Sequence, residues 1–141
     1  MKGIYVLLIS VSEDARVRVG ALGRRLFRRG LYVYVGSAQN SLESRVERHL
    51  RKGKRRFWHV DYLLGNRGVE VQSVFWKEAG RLEECRVAER LLQVGIPVSG
   101  FGSSDCRCRS HLFRIGAGEG LNEFVGEMEL ERFKRDGLDV K

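Results

Sequence analysis

The run Ile4-Tyr5-Val6-Leu7-Leu8-Ile9, inside an apolar, β-branched stretch from Gly3 to Val11, constrains the fold more than any other segment. It carries no charge for a solvated face, so it reads as a buried strand. It is too short for a membrane span, which takes roughly 18 apolar residues. No small-residue cleavage site follows it, as a secretory leader would require. A soluble, cytoplasmic protein without a membrane partner is therefore expected. The 141 residues, 43% hydrophobic with a single proline, suit one domain over 1–141 that buries about two thirds of its unfolded surface.

The elements after this strand alternate. Arg16-Val17-Arg18-Val19-Gly20 has period two and reads as the second arm of a hairpin with the first strand. A basic turn ends at Gly30, and Leu31 to Gly36 is a third strand with Tyr32 and Tyr34 on one face. Ser41 is placed to cap a helix reaching about Lys52, with Leu42, Val46 and Leu50 on one stripe and Gly53 at its end. Phe57 to Leu64 leans to a short helix and Val69 to Trp76 to a strand. Arg81 to Val94 fits a helix with Leu82, Cys85, Ala88, Leu91 and Leu92 inward, capped by Gly95. Cys106 to Ile115 is a final strand, and Leu121, Phe124, Val125, Met128 and Phe133 mark an amphipathic C-terminal helix. The order predicts a small α/β (α+β) domain with helices packed on a central sheet.

Charge points to a partner. The chain carries +8, and residues 24 to 56 alone hold eleven basic and two acidic side chains, a local +9. The rest sums to −1. A one-sign stretch repels itself until a polyanion or counterions neutralise it, which predicts nucleic acid as the partner. Arg28, Arg29, Lys52, Lys54, Arg55 and Arg56 are the candidate backbone contacts. A competing reading, an arginine-rich surface serving heat stability, draws on the excess of arginine over lysine.

Three helical residues are out of keeping with their faces. Arg45 borders the Leu42/Val46/Leu50 stripe, and His49 falls inside it. Glu84 lies between Ala88 and Leu91 on the apolar face of the later helix, where a carboxylate needs a partner. Taken alone, Arg45 and Glu84 would form a buried ion pair, with His49 a satisfied core histidine.

Gly3-Ile4-Tyr5 and Tyr34-Val35-Gly36-Ser37-Ala38, continued through Leu42, Arg45 and His49, resemble the paired signatures of the GIY-YIG nuclease superfamily. Glu84 to Ala88 and Gly102 to Phe113 are similar to its uncharacterised archaeal and bacterial branch, sometimes fused to endonuclease III. The resemblance implies a small, mostly antiparallel sheet flanked by helices. It also implies a metal-dependent endonuclease that hydrolyses DNA phosphodiesters in repair or processing. Tyr5 or Tyr34 would deprotonate a water as a phenolate made accessible by nearby positive charge and the metal. Arg45 would steady the phosphate, and His49 would accept or orient a proton. Glu84 would hold Mg²⁺ or Mn²⁺, which take oxygen ligands. Glu89 competes for that role, and the inward position of Glu84 decides the choice. The alternative is a non-catalytic nucleic-acid-binding module of the same fold.

The three cysteines cannot close a disulfide framework. Cys85, Cys106, Cys108 and His111 would give zinc a Cys3His set. The Cys-x-Cys spacing is tighter than the usual gap, and cysteines are commonly buried as plain hydrophobes, so the sequence favours burial over zinc. Trp58 reads as a core aromatic, and the Gly100/Gly102 loop with Ser103 and Ser104 as only a loop.

Overall fold

A computed structural model describes residues 1–103, 106–116, 120–135 and 138–139. Ser104 and Asp105 lie outside the described residues. Its centre is an antiparallel six-stranded sheet with the order β6-β7-β4-β1-β5-β8. The strands are β1 (Gly3–Val11), β4 (Gly30–Ala38), β5 (Val69–Glu78), β6 (Gly95–Pro97), β7 (Leu112–Ile115) and β8 (Glu131–Arg132). Helices α1 (Leu42–Leu50), α2 (His59–Leu64), α3 (Leu82–Leu91) and α4 (Leu121–Glu127) complete the frame. Two short ribbons pair β2 (Ala15–Arg18) with β3 (Arg24–Phe27), and β9 (Lys134–Arg135) with β10 (Leu138–Asp139).

The uncharged β1 run has a direct cause: both faces of the strand are covered. Tyr5, Leu7, Ile9 and Val11 point to one side, joined by Tyr32 and Tyr34 of β4, and pack against α1, α2 and the β2–β3 ribbon. Ile4 and Val6, with Val33 and Val35, pack on the other side against Val87, Ala88 and Leu91 of α3 and Leu121 and Phe124 of α4. A polar residue on either face would lie in one of two apolar layers, at a desolvation cost of about 1–3 kcal/mol.

The expected hairpin between β1 and Arg16–Gly20 is not formed. β1 takes β4 and β5 as neighbours, and β2 pairs with β3 inside the stretch read as a basic turn. The reason is supply of apolar surface. β4 and β5 offer β1 apolar side chains for both layers, whereas the arginine-rich ribbon offers the core chiefly Val17 and Phe27. Other boundaries are shorter than predicted. Ser41 does cap α1, its hydroxyl accepting from the Ser44 N–H at 3.2 Å, but the helix stops at Leu50 because Lys54 donates to the His49 and Arg51 carbonyls. α3 ends at Leu91, Leu82 is 91% exposed beyond the sheet edge, and Gly95 starts β6 rather than capping a helix. The strand expected over Cys106 to Ile115 spans only Leu112–Ile115 and is not the final one, since β8, β9 and β10 follow it, so Cys106 and Cys108 sit in the preceding loop. Phe133 is buried beyond α4 rather than within it. No helix among the described residues is long and apolar enough to cross a membrane.

Candidate functional site

The register of β1 against β4 sets Tyr5 opposite Gly36. The Tyr5 phenol lies over that glycine so closely that a Cβ there would come 2.3 Å from its hydroxyl oxygen. Gly36 is thus a seat for a ring, and any side chain would displace Tyr5. Tyr34, two residues earlier on the same face of β4, brings its ring centroid 6.5 Å from that of Tyr5. Above them α1 aims His49 at the sheet. Tyr5 Oη and His49 Nε2 are 2.7 Å apart, and the His49 ring sits edge-on to Tyr34 at 6.2 Å.

Both partners of this pair are buried, and burial decides their protonation. It lowers His49 to about 3; the Asp61 carboxylate opposes the change, while Lys54, Arg45 and Arg48 add to it. Burial raises the Tyr5 phenol, with Arg45 pulling in the other direction. It raises Tyr34 as well. The resting pair is therefore a neutral phenol hydrogen-bonded to a neutral imidazole. Without a metal, burial outweighs the neighbouring arginine at Tyr5, so the expected phenolate would need the added charge of a bound cation.

A stability effect follows. The unfolded chain protonates its histidine near the ordinary value of 6.5, and the folded chain only near 3. Between these values the unfolded state binds more protons, so stability falls as pH is lowered through the window, by up to about 5 kcal/mol from this residue. Thermal melts of wild type should drop steeply between about pH 6.5 and 4. His49→Gln should lose most of that slope. A wild-type melting temperature that stays level over the same range would contradict the buried neutral imidazole.

The remaining members come from other elements. Tyr5, Tyr34, Arg45 and Glu84 line one polar pocket of about 290 Å³, with Gly36, Ser37, Gln39, Asn40, Trp58, Arg81 and Gly102. Arg45 donates to the Ser37 carbonyl at 3.0 Å and stacks its guanidinium over Trp58, 4.2 Å from the ring centroid. Arg48 covers the same indole at 4.4 Å and forms a two-pronged pair with buried Asp61, at 2.9 and 3.0 Å. Burial alone would raise the Asp61 carboxyl. Arg48 and the Trp58 and Phe57 N–H groups, which all donate to it, bring it below the ordinary carboxylate value. Asp61 therefore fixes Arg48 and the backbone of Trp58, and Trp58 in turn fixes Arg45.

Glu84 lines the tyrosine pocket, whereas Glu89 is exposed and borders a separate cavity of about 370 Å³ with Cys85 and Cys108. The carboxylate of Glu84 comes 3.4 Å from Nδ1 of buried His111, within ion-pair reach but without hydrogen-bond geometry. Glu83 is occupied elsewhere, by Arg86 and Lys77, which draw it down to about 2. The ligand atoms of Cys85, Cys106, Cys108 and His111 all lie within 4.8 Å of one another, a cluster that could bind a metal such as zinc. The sequence preference for plain burial of these thiols is corrected to that extent.

The candidate backbone contacts divide. Lys52 donates to the Leu64 and Val69 carbonyls and Lys54 to those closing α1, so these ammonium groups hold loops together. Arg28, Arg29, Arg55 and Arg56 are exposed, with Arg28 3.6 Å from Asp14. Arg56 lines a cavity of about 460 Å³ with Arg16, Arg18 and Arg67, and no carboxylate is in its lining. Sequence reasoning missed Arg16, Arg18 and Arg67 because they fall outside the basic block.

It also missed Trp58, Arg81, Gln39 and Asn40. The available signal for Trp58 was Asp61 three residues on, the spacing at which a carboxylate accepts from the backbone that opens a helix. Gly102 is more than a loop residue. Its N–H donates to His59 Nδ1 at 2.8 Å, its φ is +72°, and a Cβ there would come 3.2 Å from both Tyr34 and His111.

These features define an α+β sheet domain whose polar pocket is built on its two central strands. The chain belongs to the DUF123 family, a domain of unknown function, whose model matches residues 4–133. Comparison with curated proteins and with solved structures yields no match.

Proposed function

We propose that the protein is a GIY-YIG-type endonuclease that hydrolyses DNA phosphodiesters with Mg²⁺ or Mn²⁺, in repair or processing. The observation carrying this reading is the Tyr5–His49 pair, 2.7 Å apart, at the wall of a pocket that Arg45 and Glu84 also line. An acid–base relay, a phosphate clamp and a carboxylate are the groups that such a hydrolysis needs in one place. The oxygen-rich lining of Glu84, Gln39 and Asn40 suits a hard divalent cation, which the thiol cluster would not. When bound there, held by Glu84, such a cation supplies positive charge beside the phosphate and its leaving oxygen.

The proton path follows from the resting state. Tyr5 passes its phenolic proton to Nε2 of neutral His49 as the phenolic oxygen takes a proton from the attacking water. The hydroxide formed attacks phosphorus while Arg45, braced by Trp58, pairs with the phosphate oxygens. The bond to the departing ester oxygen breaks, and because burial, Lys54, Arg45 and Arg48 outweigh Asp61 in disfavouring the imidazolium, His49 holds the proton only in passing and returns it through Tyr5 to that oxygen. Tyr34 packs beside both rings and keeps the relay away from bulk water.

DNA is held through backbone charge, with Arg16, Arg18, Arg56 and Arg67 contributing beside Arg28, Arg29 and Arg55. Phosphate contacts strengthen binding to all sequences alike and set the salt slope, by about one unit of log–log slope per contact. The double variant Arg56→Ala/Arg67→Ala should therefore bind duplexes of unrelated sequence more weakly by a similar factor, with a slope shallower by about two. Fluorescence titrations at several salt concentrations check this. An unchanged slope would take the DNA off this cavity. Salt-sensitive binding with no cutting in either metal would favour the non-catalytic module.

A further inference from the structure

Two segments far apart in sequence meet beside the pocket: α3, through Cys85, and the loop before β7, through Cys106, Cys108 and His111. We infer that these four residues bind one structural zinc ion and that Glu84, next to Cys85 on α3, is the carboxylate that orients the histidine ligand. The distances suit a tetrahedral ion. Zinc–sulfur bonds of about 2.3 Å and a zinc–nitrogen bond of about 2.0 Å place ligand atoms about 3.5–3.8 Å apart around the metal. His111 Nε2 is 3.5 Å from Cys106 Sγ, and no pair in the set exceeds 4.8 Å. Closing the set asks for side-chain rotations of the order of an ångström.

Donor chemistry selects the metal. Three thiolates and an imidazole suit zinc and disfavour magnesium or calcium, which take oxygen. His111 supplies the second observation. Its side chain is only 2% exposed, and among the described residues Nδ1 has no hydrogen-bond partner although Glu84 Oε2 lies 3.4 Å away. Ligation through Nε2 places the ring proton on Nδ1, 3.4 Å from that carboxylate, and a small shift of Glu84 then completes the pairing that metal-bound histidines commonly make. One helix then contributes a ligand and the acceptor that fixes another ligand. If Glu84 also serves the pocket as proposed above, the zinc centre holds its carboxylate in place there. The metal site itself does not rest on that reading.

The test uses the full chain, purified without chelator and without a metal-binding tag. Elemental analysis is expected to give one zinc per chain. Exchange with cobalt should give thiolate charge-transfer absorption and the d–d bands of a tetrahedral site. Cys106→Ser/Cys108→Ser should lose the zinc. Should that variant fail to fold, the cobalt spectrum of wild type still decides the ligand set. Glu84→Gln should keep the stoichiometry but weaken zinc about tenfold in competition with a chelator. Purified protein with no zinc, or a cobalt spectrum without thiolate bands, would overturn the site. Unchanged zinc affinity in Glu84→Gln would overturn the role of Glu84. None of these readouts depends on cleavage, so failure of the metal site and failure of the nuclease reading are separable.

Discussion

Glu84→Ala is expected to lower DNA cleavage by about 10³-fold or more, while Glu89→Ala stays within a few-fold of wild type. The two residues are five apart on α3, so the helix turns their side chains to different surroundings. Glu84 enters the pocket of Tyr5, Tyr34 and Arg45, and Glu89 borders the cavity on the other side of Cys85. Glu84 is the only carboxylate in the pocket lining among the described residues, and under the proposed reading its removal takes away the oxygen ligand for the divalent cation and with it the charge opposing the developing phosphorane. Tyr5→Phe should cost a comparable factor by a different route, since the ring still fills its seat over Gly36 but no proton can pass to His49. Single-turnover cleavage with saturating enzyme separates both losses from binding. Equal losses in Glu84→Ala and Glu89→Ala would remove the basis for assigning the pocket carboxylate.

The second large effect concerns the frame of the site. Asp61→Asn should destabilise the fold by about 3 kcal/mol, measured by urea denaturation, because it leaves Arg48 without its anion in a mostly covered position. Asparagine keeps one acceptor, but Asp61 serves Arg48 and the N–H groups of Phe57 and Trp58 at once. The pH behaviour distinguishes this residue from His49. A carboxyl held below its ordinary value contributes stability above that value and loses it only as pH falls through the folded pKa, so the Asp61 contribution persists across the histidine window. A loss under about 1 kcal/mol would mean that the pair is worth no more than a surface ion pair.

The sequence made some parts of this molecule legible and hid others, for physical reasons. A strand covered on both faces must be apolar at every position, so β1 was visible as a run. The α1 cap at Ser41 and the misfit of His49 were visible because helical spacing assigns each residue a face. Pairing was not legible, since nothing local in Arg16–Arg18 says that its partner is Arg24–Phe27 rather than β1. Trp58 was hidden because its neighbours Arg45 and Arg48 come from another helix. The burial of Tyr5 was hidden for a similar reason: nearby arginines can be counted along a chain, whereas the burial that outweighs them in the metal-free protein depends on α1 closing over the sheet. The cysteine cluster combines an unusual Cys-x-Cys with a residue some twenty positions earlier, a distance that only the fold closes.

The most direct test of the nuclease reading is a cleavage time course on labelled duplex, single-stranded, branched and abasic DNA, with Mg²⁺, with Mn²⁺ and with chelator. Wild type should cut at least one of these substrates only when a divalent metal is present, and Arg45→Ala and Glu84→Ala should abolish the cutting while DNA is still bound. Tight binding with no cut strand in either metal, or cutting that both variants retain, would contradict the account.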